Sequence, residues 1–590
     1  MRKEAVFIIV IILLSTAVSS DHQYYRGPVD LTDAEFFSLL KPTYETYDKA
    51  QLRNYFMTRV TPQYFPLSNY ASQDTFNRAN NAMNEEIITY AGSPYDFSDG
   101  TGGFNWNLIP AGDLGLDAAA YLHRFYHMNN IANAYAHTST YPTENPIPDE
   151  SYVNEIIFEW DEYWNEFFKV TPIYHFPAGP EFLQLNGLLN HFERIRNWIE
   201  TFEYIGPVHE SPTFDENEVV EYLKKLYMSI EYIRSNEVQW PITSNQVITG
   251  KASVLYAGIM YPEFDASDEW LQYGKNGLEE VITTDIFDDG CHNERTPGYN
   301  HVALMSLMTP YNLAALNGIS FSSAYNQRLE KSLNFIKYLM HPNNIYVPAI
   351  GDTSIQEGFS IWLDDGYTIF GDQTFRYVET FGAQGTMPSE TSKAFANCKY
   401  YILRSGWGQP GNIQSYKDQR HLVFDAARFA GSHSDWDNLN IILFAYDKLL
   451  LADPGEYILN GPDKAWFEST AAHNTIVVDN RNYNLMNNIP PTSPNPDFES
   501  EVTTSYNFGD GFDFVKGSHN GYAINTGCSG CPITNPVVIT RNIFYPKLGE
   551  NLDYFIVSDK MLGSGTHTYD QYWHLTHMIS IGIWHHLLEV

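Results

Sequence analysis

The densest run of polar side chains among the 590 residues is Gly431-Ser432-His433-Ser434-Asp435-Trp436-Asp437-Asn438-Leu439-Asn440, placed directly before the apolar stretch Ile441-Ile442-Leu443-Phe444. Asp453 follows Asp435 in Leu450-Leu451-Ala452-Asp453-Pro454-Gly455, and His473 follows in Ala471-Ala472-His473-Asn474-Thr475. Carboxylate oxygen and neutral imidazole both suit zinc or manganese. Asp435, Asp453 and His473 on neighbouring strand ends can therefore converge on one divalent cation, structural rather than redox in role. The same residues also read as turn-capping aspartates and a hydrogen-bonded histidine, and no local spacing such as H-E-x-x-H decides between the two.

The elements that must position these groups change character along the chain. Apolar residues recur at helical spacing in 151–168 (Ile156, Ile157, Trp160, Tyr163, Trp164, Phe167), in 188–205 (Leu189, Phe192, Ile195, Trp198, Ile199, Phe202) and in 219–233 (Val220, Leu223, Leu226, Ile230, Ile233). Such helices, separated by short breaks, imply side-by-side pairs in a solenoid or a closed toroid. After the small, polar segment Gly382 to Ser389 come short β-like runs at 400–403, 421–424, 440–444, 475–478, 537–540 and 553–557, with turn residues between them. These imply antiparallel sheet, most simply a sandwich. The segment 579–590 interrupts that rhythm and is not assigned an element.

Composition agrees with a packed chain: 43% hydrophobic and only 18% charged residues exclude disorder, collagen and coiled coil. Single cores stop growing at roughly 250–300 residues, so at least two domains are expected. A net charge of −36 argues against nucleic-acid partners and anionic lipid. Arg2, Lys3, the apolar run Val6 to Leu14 and Ala17-Val18-Ser19-Ser20 compose an export signal over 1–20, and no later run is long enough to span a bilayer. A secreted protein follows, extracellular or, in a bacterium, periplasmic. Of the four cysteines, Cys528 and Cys531 are spaced to close a small loop disulfide, with a redox C-x-x-C as the sharper alternative.

Taken in order, Gly431, His433, Asp435, Asp437 and Leu439, then Asp453-Pro454-Gly455, then Ser469 to Thr475 resemble the C-terminal half of the heparinase II/III-like polysaccharide lyases. That superfamily also takes in alginate lyases and is related to dermatan sulfate epimerase. The resemblance extends upstream to Ser244-Asn245-Gln246, Tyr261-Pro262-Glu263-Phe264 and the segment Asp289 to His301. It implies an α+β multidomain chain: an N-terminal (α/α) toroid over 21–385, a linker at 386–396 and a C-terminal antiparallel β-sandwich over 397–590. It further implies that Tyr299 and His433 are catalytic and that Asn245 binds the substrate carboxylate. Each also has a structural reading, as a core tyrosine, a strand-end cap and a helix cap.

Two departures stand out. Members of the superfamily usually carry a second, metal-ligating histidine where this chain has Asp435, a harder ligand, and an adjacent histidine where Asn300 separates Tyr299 from His301.

The implied chemistry is β-elimination on a uronic-acid-containing polysaccharide, of glycosaminoglycan or alginate type. The C5 proton lies next to a carboxylate whose charge must be neutralised before the proton can leave, a task for Asn245 with Gln246 or a nearby arginine. Tyr299 or His433 takes the proton and one of the pair protonates the leaving O4. A tyrosinate base needs positive neighbours, for which Arg295, His301, Arg404 and Arg428 are candidates; Gln246, Arg295, His301 and Arg428 are expected at the substrate. The aromatic residues Trp106, Trp160, Trp164, Trp198 and Tyr204 are candidates to stack on sugar faces, though a place in the core is the simpler expectation. Rival readings are a uronate C5-epimerase on the same scaffold and a non-catalytic carbohydrate-binding protein. A glycoside hydrolase using Asp288, Asp289 or Glu294 fits less well, because it needs a facing carboxylate pair.

Overall fold

The computed structural model describes residues 30–67, 72–88, 94–100, 102–106, 108, 115–137, 149–168, 188–207, 210–236, 244–344, 346–354, 359–427, 433–456, 464–482, 502–524, 534–548 and 554–576. The export segment 1–20, Arg428, Cys528, Cys531 and 579–590 lie outside them. Among the described residues no helix is long and apolar enough to cross a membrane.

Helices fill the first part of the chain. Gln73–Ala82, Tyr126–His137, Leu188–Ile205, Ser244–Met260 and Pro297–Leu316 pack side by side in sequence order, and Glu216–Asn236, Ser267–Thr284 and Ser323–Leu339 back that row. The apolar stripes explain the packing. Leu188–Ile205 buries Ile195, Trp198, Ile199 and Phe202, and Glu216–Asn236 buries Val220, Leu223, Leu226, Ile230 and Ile233. The helix expected over 151–168 is α-helical for Ser151–Glu162 and π-helical for Tyr163–Phe168. Trp106, Trp160, Trp164, Trp198 and Tyr204 are all core residues with 3% exposure or less, so none is a stacking platform for sugar.

The second part is antiparallel sheet. Five strands run in the order Lys393–Phe395, Tyr400–Arg404, His421–Asp425, Asn440–Ala445, Lys448–Leu451; four run in the order Ile556–Leu562, Thr534–Pro546, Phe512–Ile524, Thr503–Phe508. Ile476–Val478 pairs with Tyr569–Gln571. The stretch expected to be a linker at 386–396 thus ends in the first strand, and the run expected at 553–557 becomes a strand only from Ile556.

The three inner strands of the five-stranded sheet are buried on both faces. Tyr401, Leu403, Leu422, Phe424 and Ile441 pack with Val515, Val537, Ile539 and Ile543 of the four-stranded sheet. The alternate residues Tyr400, Ile402, Val423 and Ile442 belong to the core shared with the helices, where the Phe335 ring lies 5.8 Å from that of Tyr400. This two-sided burial is why the strands read as unbroken apolar runs instead of alternating ones.

A disulfide between Cys291 and Cys398 staples the helical part to the turn before Tyr400–Arg404. The Asp289 carboxylate accepts from the Asn397 and Cys398 amides at 2.7 and 3.2 Å beside it, and the Tyr400 hydroxyl donates to the Arg295 carbonyl at 2.7 Å. The cross-link closes a loop with a sequence separation of 107. Replacing both cysteines with serine is expected to lower unfolding stability by roughly 2–5 kcal/mol, read as a fall in the urea midpoint that reductant reproduces in the unmodified protein.

Candidate active site

Tyr299 is the third residue of the helix Pro297–Leu316. The Thr296 side chain caps that helix by accepting from the Tyr299 amide at 3.2 Å, and Pro297 needs no amide partner at the first position. The cap fixes where the phenol ring emerges. His433 arrives from the other part of the chain, and its ring stacks on that of Tyr299 with centroids 3.5 Å apart and planes 20° from parallel. The two aromatic residues that the sequence singled out are therefore in direct contact.

The stack is held by the loop at Asp352. His433 Nδ1 donates to Asp352 Oδ2 at 2.8 Å, and the Asp352 amide donates to the His433 carbonyl at 2.9 Å. Lys464 Nζ reaches Asp352 Oδ1 at 3.1 Å. Burial works against a charged Asp352, but His433 and Lys464 outweigh it and hold the carboxyl below its ordinary range. Gly351 makes the loop possible. Its φ is +60°, and a Cβ there would meet the His433 carbonyl oxygen at 2.5 Å. The fixed Nδ1 partner leaves Nε2 of a neutral His433 as the acceptor, the arrangement a positioned general base requires.

Asn245 lies in the first turn of Ser244–Met260, buried, and its Nδ2 donates to both Glu294 carboxylate oxygens at 2.9 and 2.8 Å. The Ser434 hydroxyl, next to His433, reaches the Glu294 carbonyl at 3.5 Å. Asn245, Glu294, His433 and Tyr299 thus form one connected group. Burial, reinforced by Asp352, Glu456 and Glu294, pushes the Tyr299 phenol well above its ordinary value; Arg124 is the cation that opposes this. Its side chain is aimed by Asn190, whose Oδ1 accepts from Arg124 Nε at 2.8 Å.

The expected substrate contacts are placed less uniformly. Gln246 is half-buried next to Asn245. His301 accepts from Trp362 Nε1 at 2.8 Å, and burial pushes its imidazole down to about 4, so it is a neutral group and not a source of positive charge. Arg295 is buried with its guanidinium 5.3 Å from the centre of the Phe287 ring, and it lines a pocket with Asp425, Asp435 and Asp437. Arg404 is packed on the Trp407 ring at 3.8 Å, in the interior. Asp288 pairs with Arg328, and Asp289 caps amides, so neither stands opposite a second carboxylate as a hydrolase would need.

Asp435, Asp453 and His473 present ligand atoms within 4.8 Å of one another, all three residues being buried. Asp453 is anchored by the Gly455 amide at 3.0 Å and by the Asn440 amide group. It accepts from His473 Nδ1 at 2.9 Å, while His473 Nε2, 3.9 Å from Asp435 Oδ2, is buried without a hydrogen-bond partner. Zinc sits about 2.0–2.2 Å from carboxylate oxygen and imidazole nitrogen, so this gap and the orphaned Nε2 fit a cation between them. Burial alone would lower His473, but Asp453, Asp435 and Asp437 outweigh it and push the imidazole up to about 10.

The sequence pointed to neither Asp352 nor Arg124, and named Glu294 only as a hydrolase acid. The signal available for Asp352 was the Gly351-Asp352 pair, which reads as an ordinary turn.

Comparison with known proteins gives a consistent answer. The family model described as Heparinase II/III N-terminus matches residues 40–374, and that described as Heparinase II/III-like, C-terminal, matches 387–583. A heparin-sulfate lyase of Pedobacter heparinus is 22% identical over 495 residues, covering 82% of this chain and 65% of that protein. One of Bacteroides thetaiotaomicron is 22% identical over 489 residues, covering 78% and 62%. The chain thus matches less than two thirds of the length of these curated relatives. The crystal structure of heparinase III superposes with a TM-score of 0.72 at 20% identity, covering 91% of this chain and 80% of that one. A mutant of the heparan sulfate lyase HepC from Pedobacter heparinus gives 0.59 at 21% identity, covering 88% and 73%.

Replacing Asp453 with alanine strips a buried imidazole of its carboxylate and is expected to lower the stability of chelator-treated protein by roughly 3–5 kcal/mol in urea denaturation. The His473 pKa is raised on folding, so its contribution is complete below about pH 6.5 and fades as pH rises through about 10. The difference between the two proteins should shrink over that window.

Proposed function

The chain belongs to the heparinase II/III family, and from that premise we propose that it is a polysaccharide lyase cleaving a uronic-acid-containing glycosaminoglycan by β-elimination. The observation that carries the reading is the stack of Tyr299 on His433, with His433 Nδ1 tied to Asp352. The relatives are named heparin-sulfate lyases, which makes heparan sulfate the first polymer to test, ahead of alginate. The row of helices is read as an (α/α) toroid and the two sheets over a common core as a β-sandwich. The export signal read at 1–20 supports a place outside the cell or in a periplasm.

The roles follow from the surroundings of each group. His433, oriented through Nδ1, takes the C5 proton at Nε2. The C4–O4 bond breaks as the C4=C5 double bond forms. Tyr299, whose surroundings keep it a neutral phenol, gives its proton to the departing O4 oxygen. Asn245 donates to the uronate carboxylate as charge develops, from a side chain whose Nδ2 also lies 2.9 and 2.8 Å from the two Glu294 oxygens. Gln246, next to Asn245 in the chain, and Arg124, whose charge acts on Tyr299, are the further donors for that carboxylate. Asp435, Asp453 and His473 would hold zinc or manganese, which would supply positive charge to an acidic nest two residues along the chain from His433.

An epimerase would remove the same proton and return one to the opposite face. The separating observation is the product, since only elimination leaves an unsaturated uronate absorbing in the near ultraviolet. Wild-type protein should generate that absorbance from heparan sulfate, and Tyr299→Phe and His433→Ala should each reduce the rate by roughly 10²–10⁴-fold. Deuterium entering an uncleaved polymer would point to epimerisation. Zinc or manganese at about 100 times its dissociation constant should stabilise the wild-type fold by about 2.7 kcal/mol, a gain lost in His473→Ala.

A further inference from the structure

The four-stranded sheet packs one face on the five-stranded sheet, which lies between it and the helices that carry Asn245 and Tyr299. Val515, Ile539 and Ile543 take the inward positions, so Lys516, Thr540 and Asn542, alternating with them, point outward. The register sets the outward residues in rows across the strands. Phe514, Phe544 and Ile556 stand abreast, then Lys516, Asn542 and Ser558, then Ser518, Thr540 and Lys560. Phe512 flanks the first row, 40% exposed, with its ring 5.4 Å from that of Phe544. We propose that this outward face is a second, non-catalytic surface that holds an acidic polysaccharide chain, an assignment that takes its choice of polymer from the lyase reading.

Charge complementarity identifies the occupant. The chain has 71 acidic and 35 basic residues, yet the outward positions of these four strands carry two lysines and no acid. The strands' two acids point inward and are neutralised there: Lys547 Nζ lies 3.0 Å from Asp513, and Arg541 Nε lies 2.8 Å from Asp559. Lys516 and Lys560 have no ion-pair partner among the described residues. With strands about 4.8 Å apart and same-face residues about 6.8 Å along a strand, the two lysine positions are about 12 Å apart on a diagonal that an extended polymer can follow. The Ser518 and Thr540 hydroxyls between them bond to each other at 2.8 Å, and Asn542 Nδ2 donates to the Ser558 carbonyl at 3.3 Å, which leaves Asn542 Oδ1 to accept from a sugar hydroxyl. The phenylalanine row offers an apolar wall for the C–H face of a ring. A second copy of this chain fits less well, because a stable interface buries about 800 Å² per partner and is poor in lysine, whereas here only one row is apolar.

The test measures affinity for immobilised heparan sulfate at about 0.1 M salt for the wild type, Lys516→Glu with Lys560→Glu, Lys516→Arg with Lys560→Arg, and Phe512→Ser. The glutamate pair should bind about tenfold more weakly, the worth of two exposed ion pairs, and Phe512→Ser should also weaken binding, while the arginine pair keeps wild-type affinity. Equal affinity in the glutamate pair and a wild type that releases unsaturated product overturns the surface and spares the lyase. Weakened binding in the glutamate pair with no product from the wild type supports the surface and overturns the lyase. A wild-type dimer in sedimentation that Phe512→Ser makes monomeric gives the face to a second copy and overturns the proposal, and absence of both product and binding overturns both readings.

Discussion

Asp352 is the point on which the arrangement turns. One of its carboxylate oxygens takes the proton of His433 Nδ1 and the other meets Lys464, so a single buried group from the helical part fixes two side chains from the sheet part. Hydrogen bonding and Coulomb attraction from His433 and Lys464 outweigh the desolvation of the carboxylate here. The backbone repeats the connection, with the Asp352 amide on the His433 carbonyl, and only a glycine at 351 allows the two strands of chain to approach so closely. His433 is consequently held against Tyr299 by bonds in two directions and by the face of the ring itself.

Charge is handled by segregation. A chain with 71 acidic and 35 basic residues has few cations, and several of the buried ones are bound to carboxylates: Lys225 to Asp161 and Arg541 to Asp559. Arg124 is different, since a neutral asparagine aims it and its field reaches Tyr299. On the proposed function, an anionic polymer would meet positive charge at that place and be screened from the rest of the molecule within about 8 Å at physiological salt.

How much of this was legible in the sequence depends on which physical signal each feature leaves. The helices were readable because one face is buried, which writes a 3.6-residue period; Leu188–Ile205 coincides with its expected span. The inner strands of the five-stranded sheet were readable for the opposite reason, as burial on both faces leaves a continuous apolar run. Phe512–Ile524 was missed because Asp513, Lys516, Gly517, Ser518 and His519 dilute its pattern; Gly517 is required there by the close approach of Leu439. Tyr299, His433, Asn245 and the acid-and-histidine cluster were singled out through motif order, and the structure stacks the first two on each other and gathers the cluster within 4.8 Å. Their partner Asp352 was not, since a hydrogen bond between residues 81 apart leaves no periodicity. The cysteine pairing was equally hidden, as four cysteines permit three connectivities.

The sheet whose inner strands are buried on both faces has a consequence for how this chain can be divided. Most two-domain enzymes tolerate separation at their boundary because little apolar surface crosses it, and their halves can be exchanged or inherited independently. Here Tyr400, Ile402, Val423 and Ile442 would be laid bare on one fragment, and Phe335 and its neighbours on the other. Neither half is a module that recombination can pass on alone. Substitutions on the helix-facing side of that sheet would loosen the packing that joins the two parts of the chain, from which Tyr299 and His433 respectively come.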